Sequence, residues 1–394
     1  MEVSRDDILV VAAVAAAAPI LADLTRRVRV PIVVAEIVLG IVVGPEILGL
    51  AHGDELIEDL SAFGLAFLFF LAGLEIEFER IRGRPLTLAF SGWAVSVGLG
   101  LAVSFALYAA GIINAPILVA LAMTTTALGT LMPILRDAGV LEERFGRYVL
   151  GVGAIGEFGP VVIVSVILAL EAGEPWRTTL LFVFAAVAVL TALIAIRARP
   201  ARVVRLVETT MGTSGQLAIR LTLLVLAALV VIAADFGLDV ILGAFAAGVI
   251  VGFVTRGESD STAFEGKLDA VGYGFLIPIF FIATGMDYDL DALTTSVSAM
   301  LLVPGFALLF LFTRGLPVWL LYRRELEPPE RPPLALFSAA ALPLIVAITE
   351  IGTDTGVMRE DEAVALVGAG MLSVLVFPAL ALLVRQRAAS GARS

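Results

Sequence analysis

The sequence contains no cysteine, a single histidine and few charged residues. The absence of Cys excludes disulfides and thiolate metal sites, and one histidine, His52, does not suffice for a histidine metal site. Only 16 % of the 394 residues are charged, whereas an ordinary soluble domain carries about 25 %. No phosphate-binding loop or metal motif occurs, so we expect neither a hydrolytic enzyme nor a bound cofactor.

Neither acidic nor basic residues cluster in one part of the sequence. The formal net charge is −11, but the acids are scattered through predicted loops and no basic patch is present. The pattern therefore predicts no nucleic-acid partner. We expect His52 to be a loop residue.

Long apolar runs occupy most of the chain. Hydrophobic residues make up 60 % of it and the mean hydropathy is +1.02, which indicates an integral protein of the lipid bilayer. The runs can cross a hydrocarbon core of roughly 30 Å as helices and are too long for the strands of a barrel. Windows of about 19 residues predict an all-α polytopic protein with about thirteen spans: 6–25, 30–50, 57–78, 85–110, 115–136, 145–171, 178–196, 216–235, 238–255, 269–286, 296–322, 332–353 and 362–384.

Basic residues test this arrangement independently. Nearly all of the 26 Lys and Arg residues lie in alternate loops and in the C-terminal segment. Because short cytoplasmic loops are enriched in Lys and Arg, we predict a plasma-membrane protein with its N-terminus outside and its C-terminus in the cytoplasm. Asp6 and Asp7 precede the first run and arginines follow it, the reverse of a signal peptide, so the run is interpreted as the first helix.

An odd number of spans favours two inverted halves around a linker helix. We predict one membrane domain over 1–394, with repeat one at 6–171, the linker helix at 178–196 and repeat two at 216–384. Inverted repeats place a binding site near the midplane, where discontinuous helices cross.

Two spans in matching places look discontinuous. The fifth span reads MTTTALGTLMP and contains Gly129 and Pro133, and the twelfth reads FSAAALPLIVAITE and contains Ser338 and Pro343. A proline frees a backbone carbonyl and kinks a helix. Because the positions match across the halves, we predict crossed broken helices; the alternative is that these residues serve helix packing only.

Glu157 lies inside the sixth span, with no basic residue within nine positions. It lies about thirteen residues in, roughly 20 Å deep at 1.5 Å per residue. A charge at that depth costs at least ~2.5 kcal/mol, so the residue is a functional candidate. Gly153, Gly156 and Gly159 surround it at helical spacing and permit close backbone approach or water access. The alternative is a permanently protonated, structural Glu157.

Arg314 is the other ion in the middle of a span. A buried guanidinium stays charged and needs a carboxylate or carbonyl partner, which Glu157 or Glu350 could supply. The alternative is an arginine that stabilises helix ends without touching transport. Glu36 and Glu75 lie nearer the ends of their spans, and we expect both to be interfacial.

Five strings occur in an order that resembles a known family. They are PIVVAEIVLGIVVGPEILGL, LAFLFFLAGLEIEFERIR, TTTALGTLMPILRDAGVLEERFG, LGAFAAGVIVG and LIPIFFIATGMDYDL. Together they are similar to the monovalent cation:proton antiporter-2 family of Kef-type and NapA-type exchangers, over about residues 8 to 384. The resemblance implies an NhaA-like antiporter fold, in which broken helices cross beside a buried acid, and a homodimer.

The resemblance also implies roles for individual residues. Glu157 matches the carboxylate that binds cation and proton in turn, Thr125 and Thr126 match the polar residues at the first break, and Arg314 matches the basic residue paired with the site. The sequence departs from the family in having Glu rather than Asp, and Gly156 in place of a second acid or amide. No nucleotide-binding domain follows residue 394, so we expect any ligand gating to come from a separate regulatory chain.

These observations predict a secondary transporter that exchanges Na+ or K+ for H+ by alternating access. Two alternatives stay open. In a cation channel, the helix breaks would line a continuous pore. An ion- or pH-sensing membrane subunit would instead act through a separate chain, although the longest predicted inner loop, 197–215, is short.

Overall fold

The computed structural model describes residues 5–24, 31–75, 78–141, 143–171, 215–236, 240–255, 261–294 and 297–391. All regular elements in these ranges are helical. The predicted linker helix, 178–196, lies outside the described residues.

The described residues of the first half of the chain form seven main helices, with a short helical turn at Phe78–Ile81. They are α1 (Arg5–Leu24), α2 (Ile32–Val43), α3 (Glu55–Glu75), α4 (Arg84–Ala109), α5 (Pro116–Ala122), α6 (Leu128–Asp137) and α7 (Arg144–Glu171).

The second half contains longer helices interrupted by two π-helical turns, Gly272–Leu276 and Leu311–Gly315. The main helices are α8 (Leu217–Asp235), α9 (Val240–Thr255), α10 (Ser261–Val271), α11 (Ile277–Met286), α12 (Val297–Phe310), α13 (Leu316–Leu321), α14 (Arg331–Ser338), α15 (Pro343–Asp354) and α16 (Glu360–Gly391). Short helical turns occur at Leu290–Thr294, Tyr322–Arg324 and Pro328–Glu330.

The predicted spans coincide with helices wherever the chain is described. Eight spans of the described part are long and apolar enough to cross a membrane, and α2 and α9 are shorter apolar helices. The chain is therefore a multi-pass membrane protein, as its hydropathy predicts. His52 is exposed in the loop between α2 and α3.

Both predicted helix breaks are present, but the first is displaced. The fifth span unwinds between α5 and α6, over Met123–Ala127, so Gly129 and Pro133 are helical residues of α6 and do not form the break. The physical reason is that threonine hydroxyls compete for helix carbonyls: Thr124 Oγ1 donates to the Leu121 carbonyl at 2.8 Å.

The second break lies where the sequence predicts it. Ser338 is the last residue of α14 and Pro343 is the first residue of α15. Proline is favoured at the first position of a helix because its missing N–H has no intrahelical acceptor there. The four residues between them are unwound.

The chain divides into two units, each with its own contacts. The larger unit comprises Met1–Asp54, Glu77–Pro160 and Phe281–Ser394, and it contains both broken spans. Within it, α2 and α11 cross closely: a side chain at Gly40 would collide with the Ile282 carbonyl, and one at Gly285 with the Ile37 carbonyl. Only glycine permits this approach of the two backbones.

The smaller unit comprises Glu55–Ile76 and Val161–Phe280. Here α3 packs against α9 through glycines on both helices, because a Cβ at Gly73 would meet the Phe245 carbonyl and one at Gly248 the Phe70 carbonyl.

Candidate ion-binding site

Glu157 is a buried carboxyl in the middle of α7, with 6 % of its surface exposed. The carboxyl group lies close to the backbone N–H of Leu128, the first residue of α6. The first N–H groups of a helix have no intrahelical acceptor, and that end carries partial positive charge. One carboxyl oxygen, Oε2, is buried and makes no hydrogen bond to the described residues. The carboxyl therefore lies at the N-terminal end of a half-helix, and its Oε2 is available to bind an ion.

The two helix breaks meet beside this carboxyl. The Thr126 N–H donates to the carbonyl of Gly156, which precedes Glu157, at 3.1 Å. The Ala127 N–H donates to the Ala340 carbonyl at 2.9 Å, and Thr126 Oγ1 donates to the Ser338 carbonyl at 2.6 Å. The freed backbone groups of one break are therefore satisfied by the other break and by α7, as buried backbone groups must be.

Thr125 and Thr126 are both buried at the first break, 2 % exposed each, but their hydroxyls serve different partners. Thr125 Oγ1 donates back to the Ala122 carbonyl at 2.8 Å, at the end of α5. Thr126 Oγ1 joins the two breaks and accepts a hydrogen bond from Arg314. A hydroxyl that donates its single proton still has an acceptor lone pair.

Arg314 lies in the π-helical turn Leu311–Gly315 and is completely buried. Its Nε donates to Thr126 Oγ1 at 2.9 Å and its Nη2 donates to the Val152 carbonyl at 2.6 Å. Single π turns inside helices are frequent at functional sites. The turn therefore carries a fixed positive charge to the helix crossing.

The expected pairing of Arg314 with Glu157 or Glu350 is not formed. Among the described residues, the Arg314 guanidinium donates only to Thr126 and Val152 and makes no ion pair, and its Nη1 is buried without a hydrogen-bond partner. Neutral oxygens accept from Nε and Nη2, namely the Thr126 hydroxyl and a backbone carbonyl of α7. Glu350 is exposed near the end of α15 and does not join the cluster.

The glycines around Glu157 serve close packing. A Cβ at Gly153 would lie 2.7 Å from Leu128 Cδ1, one at Gly156 would collide with Arg314 Nη2, and one at Gly159 would lie 2.5 Å from the Trp93 ring. The glycine spacing left two alternatives, close packing or access of water. The structure shows close packing, because side chains of other segments cover this surface of α7. Gly156 in particular leaves the space that the Arg314 guanidinium takes.

The remaining acids lie elsewhere. Glu36 is buried within α2, with 4 % of its surface exposed, and its expected place near the membrane interface stays a prediction. Glu75 is half-buried at the C-terminal end of α3, in the smaller unit.

Sequence reasoning missed two contributors to the crossing. One is the Val152 carbonyl, which has no side-chain signal at all. The other is Thr313, whose Oγ1 donates to the Met123 carbonyl at 3.0 Å and so ties the π turn to the first break. The position of Thr313 directly before Arg314 in the sequence could have indicated its role.

A sequence profile described as the transmembrane sodium/hydrogen exchanger matches residues 11–382. The chain belongs to the sodium/hydrogen exchanger family. A putative Na(+)/H(+) antiporter of Bacillus subtilis, YjbQ, is 28 % identical over 371 residues, which is 89 % of this chain but only 58 % of that protein. The Na(+)/H(+)-K(+) antiporter GerN of Bacillus cereus is 24 % identical, with 70 % of each chain covered.

The fold of the exchanger chain is also found in a solved structure. The sodium proton antiporter MjNhaP1 from Methanocaldococcus jannaschii at pH 8 matches with a TM-score of 0.71 and 15 % identity, covering 96 % of this chain and 97 % of that one. The all-helical antiporter fold with crossed broken helices, expected from the sequence, is thereby confirmed.

Proposed function

We propose that this exchanger chain transports a monovalent cation, Na+ or K+, in exchange for H+ by alternating access, and that Glu157 carries the two ions in turn. A bound cation requires the ionised carboxylate, whereas a bound proton neutralises it and removes the attraction. One buried carboxyl that serves both ions makes the exchange competitive and obligatory.

The observation that carries this proposal is the state of Glu157 at the crossing. Its carboxyl is buried beside the first break, yet Oε2 makes no hydrogen bond to the described residues. A buried acid in a membrane protein is costly unless it has a partner or is protonated. An ion held between Oε2 and the oxygens of Thr125 and Thr126 supplies that partner in one half of the cycle, and a proton does so in the other.

Arg314 gives the site a permanent positive charge. Its hydrogen bonds go to Thr126 and Val152, so its charge is not neutralised by a bonded carboxylate among the described residues. We propose that this charge stabilises ionised Glu157 when no cation is bound, and that it keeps a single cation from binding irreversibly.

The names of the relatives support the cation class but leave Na+ and K+ open. YjbQ and the Enterococcus hirae relative are called Na(+)/H(+) antiporters, and the name of GerN includes K+. The chain spans only 58 % of the length of YjbQ, so the activity of the whole protein is stated as our proposal.

Four further features of the whole protein are proposed from the sequence. They are a plasma-membrane location with the N-terminus outside, a single membrane domain made of two inverted repeats, a homodimer, and regulation by a separate chain. The positive-inside distribution supports the orientation. The odd number of predicted spans and the matching helix breaks support the inverted repeats, and the homodimer and the separate regulatory chain rest on the family resemblance.

Exchange in proteoliposomes tests the proposal. Under an imposed pH gradient, flux of Na+, K+ and Li+ is compared for the wild type and for Glu157→Gln, Glu157→Asp and Glu360→Gln. We expect Glu157→Gln to insert and fold, because a neutral amide is cheaper in the membrane than a carboxylate, but to carry no proton-coupled flux. Glu157→Asp keeps the charge and should retain part of the exchange with altered cation affinity.

The same flux measurements include a control variant and distinguish the proposed exchanger from a channel. Glu360→Gln removes an exposed acid at the start of α16 and should behave as wild type. Wild-type exchange in Glu157→Gln would reject the mechanism. Rapid flux without proton coupling in the wild type would favour the channel alternative instead.

A further inference from the structure

A second polar cluster lies at one end of the larger unit, away from the ion-binding site, and is centred on Glu325. This carboxylate follows the helical turn Tyr322–Arg324, which itself follows α13. Arg84 Nε, from the first residue of α4, donates to Oε1 at 2.8 Å. Tyr148 Oη, from α7, donates to Oε2 at 3.0 Å, and Arg144 Nη2 lies 3.5 Å from the same oxygen.

Aromatic contacts strengthen the same junction. The rings of Tyr148 and Tyr322 meet edge to face, with centroids 5.6 Å apart and an interplanar angle of 80°. Both rings are buried, Tyr148 at 4 % and Tyr322 at 0 % exposure. The Arg144 guanidinium lies 6.0 Å from the centroid of the Tyr148 ring. The end of α13 is thus bound to α7 by a carboxylate and by a ring pair.

The cluster and the ion-binding site join the same two helical segments. Tyr148 contacts Tyr322 and Glu325, and one turn further along α7 the Val152 carbonyl accepts the hydrogen bond from Arg314. The partners run in opposite directions along the chain, so the two segments are antiparallel in a defined register. Glu157 lies five residues beyond Val152 on α7. A shift of α13 along α7 at Glu325 therefore changes the position of Arg314 relative to Glu157.

We infer that Glu325 is a positioning residue that sets the register between the helix carrying Glu157 and the segment carrying Arg314. The inference rests on the proposed function, because it assigns Glu325 an effect on ion binding at Glu157. Glu325 itself does not touch the transported ion.

The exposure and the charge of these side chains indicate whether the cluster acts constantly or as a pH-dependent switch. The side chains of Arg84 and Arg144 are 56 % and 62 % exposed, and exposed ion pairs contribute little to stability because solvent screens them. Loss of Glu325 should therefore leave the protein folded. The hydrogen bonds from Arg84 and Tyr148 hold the pKa of the Glu325 carboxyl below its usual value. Its stabilising contribution is present at neutral pH and is lost only as the pH falls through that lowered pKa, so the cluster acts constantly and is not a switch near neutral pH.

The test compares Glu325→Gln and Tyr148→Phe with Glu143→Gln in proteoliposomes, using Na+ or K+, whichever supports wild-type exchange. Glu143 pairs with Arg385 at 2.6 Å, so Glu143→Gln breaks an ion pair of the same type without touching Tyr148, Tyr322 or Glu325. We expect Glu325→Gln to raise the apparent KM for the cation about tenfold and to shift the pH profile of exchange, because a misplacement of about 1 Å at a site is costly. Tyr148→Phe should shift both in the same direction.

The double variant Tyr148→Phe with Glu325→Gln should be no worse than the more severe single variant, since the two residues share one contact. A purely structural role would lower the amount of folded protein but leave the KM and the pH profile unchanged. An unchanged KM and pH profile in both single variants, or equal effects from Glu143→Gln, would refute the inference. Including Glu157→Gln separates the two ideas: if that variant is inactive while Glu325→Gln equals wild type, only the positioning role fails.

Discussion

Gly156 shows how a single hydrogen atom in place of a side chain shapes the site. Its neighbour across the helix crossing is the Arg314 guanidinium, which is fully buried and held by two hydrogen bonds. In the family that the sequence resembles, a second acid or amide occupies this position. Here the Arg314 guanidinium fills the space beside Gly156. The site therefore contains one carboxylate and one fixed cation, with no room for a second acid at 156.

Gly156→Ala tests that complementarity. The added Cβ would collide with Arg314 Nη2 and lie 2.7 Å from Thr126 Cβ. We expect exchange to fall at least about tenfold and stability to fall by about 1–3 kcal/mol, the usual cost of overpacking. Exchange in proteoliposomes and the unfolding temperature in detergent measure the two effects.

Gly98→Ala is the matched control, because a Cβ at Gly98 in α4 would have no atom within 4 Å. It should leave exchange and stability unchanged. Wild-type exchange in Gly156→Ala would show that Arg314 does not need its present position.

At the scale of elements, α5 is a half-helix of seven residues that ends directly before the first break. Its N-terminus is held from outside the span. The buried carboxylate of Glu362, in the first turn of α16, accepts the N–H groups of Asn114 and Ala115 at 2.9 and 3.2 Å. Arg359 ties the same connection by donating to the Ile112 carbonyl at 3.0 Å. Such a short helix depends on these contacts for its position.

Glu362→Gln should consequently destabilise the protein without changing the ion-binding residues. An amide can accept only through one atom, so one of the two N–H groups, the part-buried one of Asn114 or the buried one of Ala115, loses its acceptor, at a cost of up to about 1–3 kcal/mol. We expect a lower unfolding temperature in detergent, by several degrees.

Glu360, an exposed acid close to Glu362, provides the control for this loss of stability. Glu360→Gln, in the same turn of α16, should leave the unfolding temperature at the wild-type value. Equal unfolding temperatures for Glu362→Gln and the wild type would mean that the contact does not support α5.

The existence of the breaks was predictable at this scale, whereas the position of the first was not. Threonines, glycine and proline in one apolar run indicate a discontinuity, and Pro343 lies at the helix start that its chemistry favours. Where the fifth span unwinds depends on acceptors from distant segments, the carbonyls of Gly156 and Ala340. Local sequence does not contain those partners, so Gly129 and Pro133 were misleading signals.

At the scale of the whole molecule, the distribution of basic residues predicts an orientation in the membrane. Arg324 and Val357 are exposed at opposite ends of the broken span formed by α14 and α15. Because the native chain has no cysteine, single cysteines can be introduced without a background. In sealed vesicles of known orientation, Arg324→Cys should react with an impermeant maleimide only from the cytoplasmic side, and Val357→Cys only from outside.

Reversed labelling of this pair would contradict the predicted orientation. Both variants are needed, since labelling of one position from both sides would indicate leaky vesicles. Exchange activity of each variant checks that the introduced cysteine has not altered the fold.

The sequence by itself determined the membrane class, the approximate places of the apolar spans in the described part, and Glu157 and Arg314 as ionisable residues inside spans. These follow from local quantities, namely apolar run length, the cost of burying charge and the preferences of proline and threonine. Only the tertiary structure decided what the ions contact. Arg314 binds Thr126 and the Val152 carbonyl instead of a carboxylate, and Glu325 binds Arg84 from 241 positions away. Such contacts depend on helix register, which is set by packing along the whole length of the helices and leaves no local pattern in the chain.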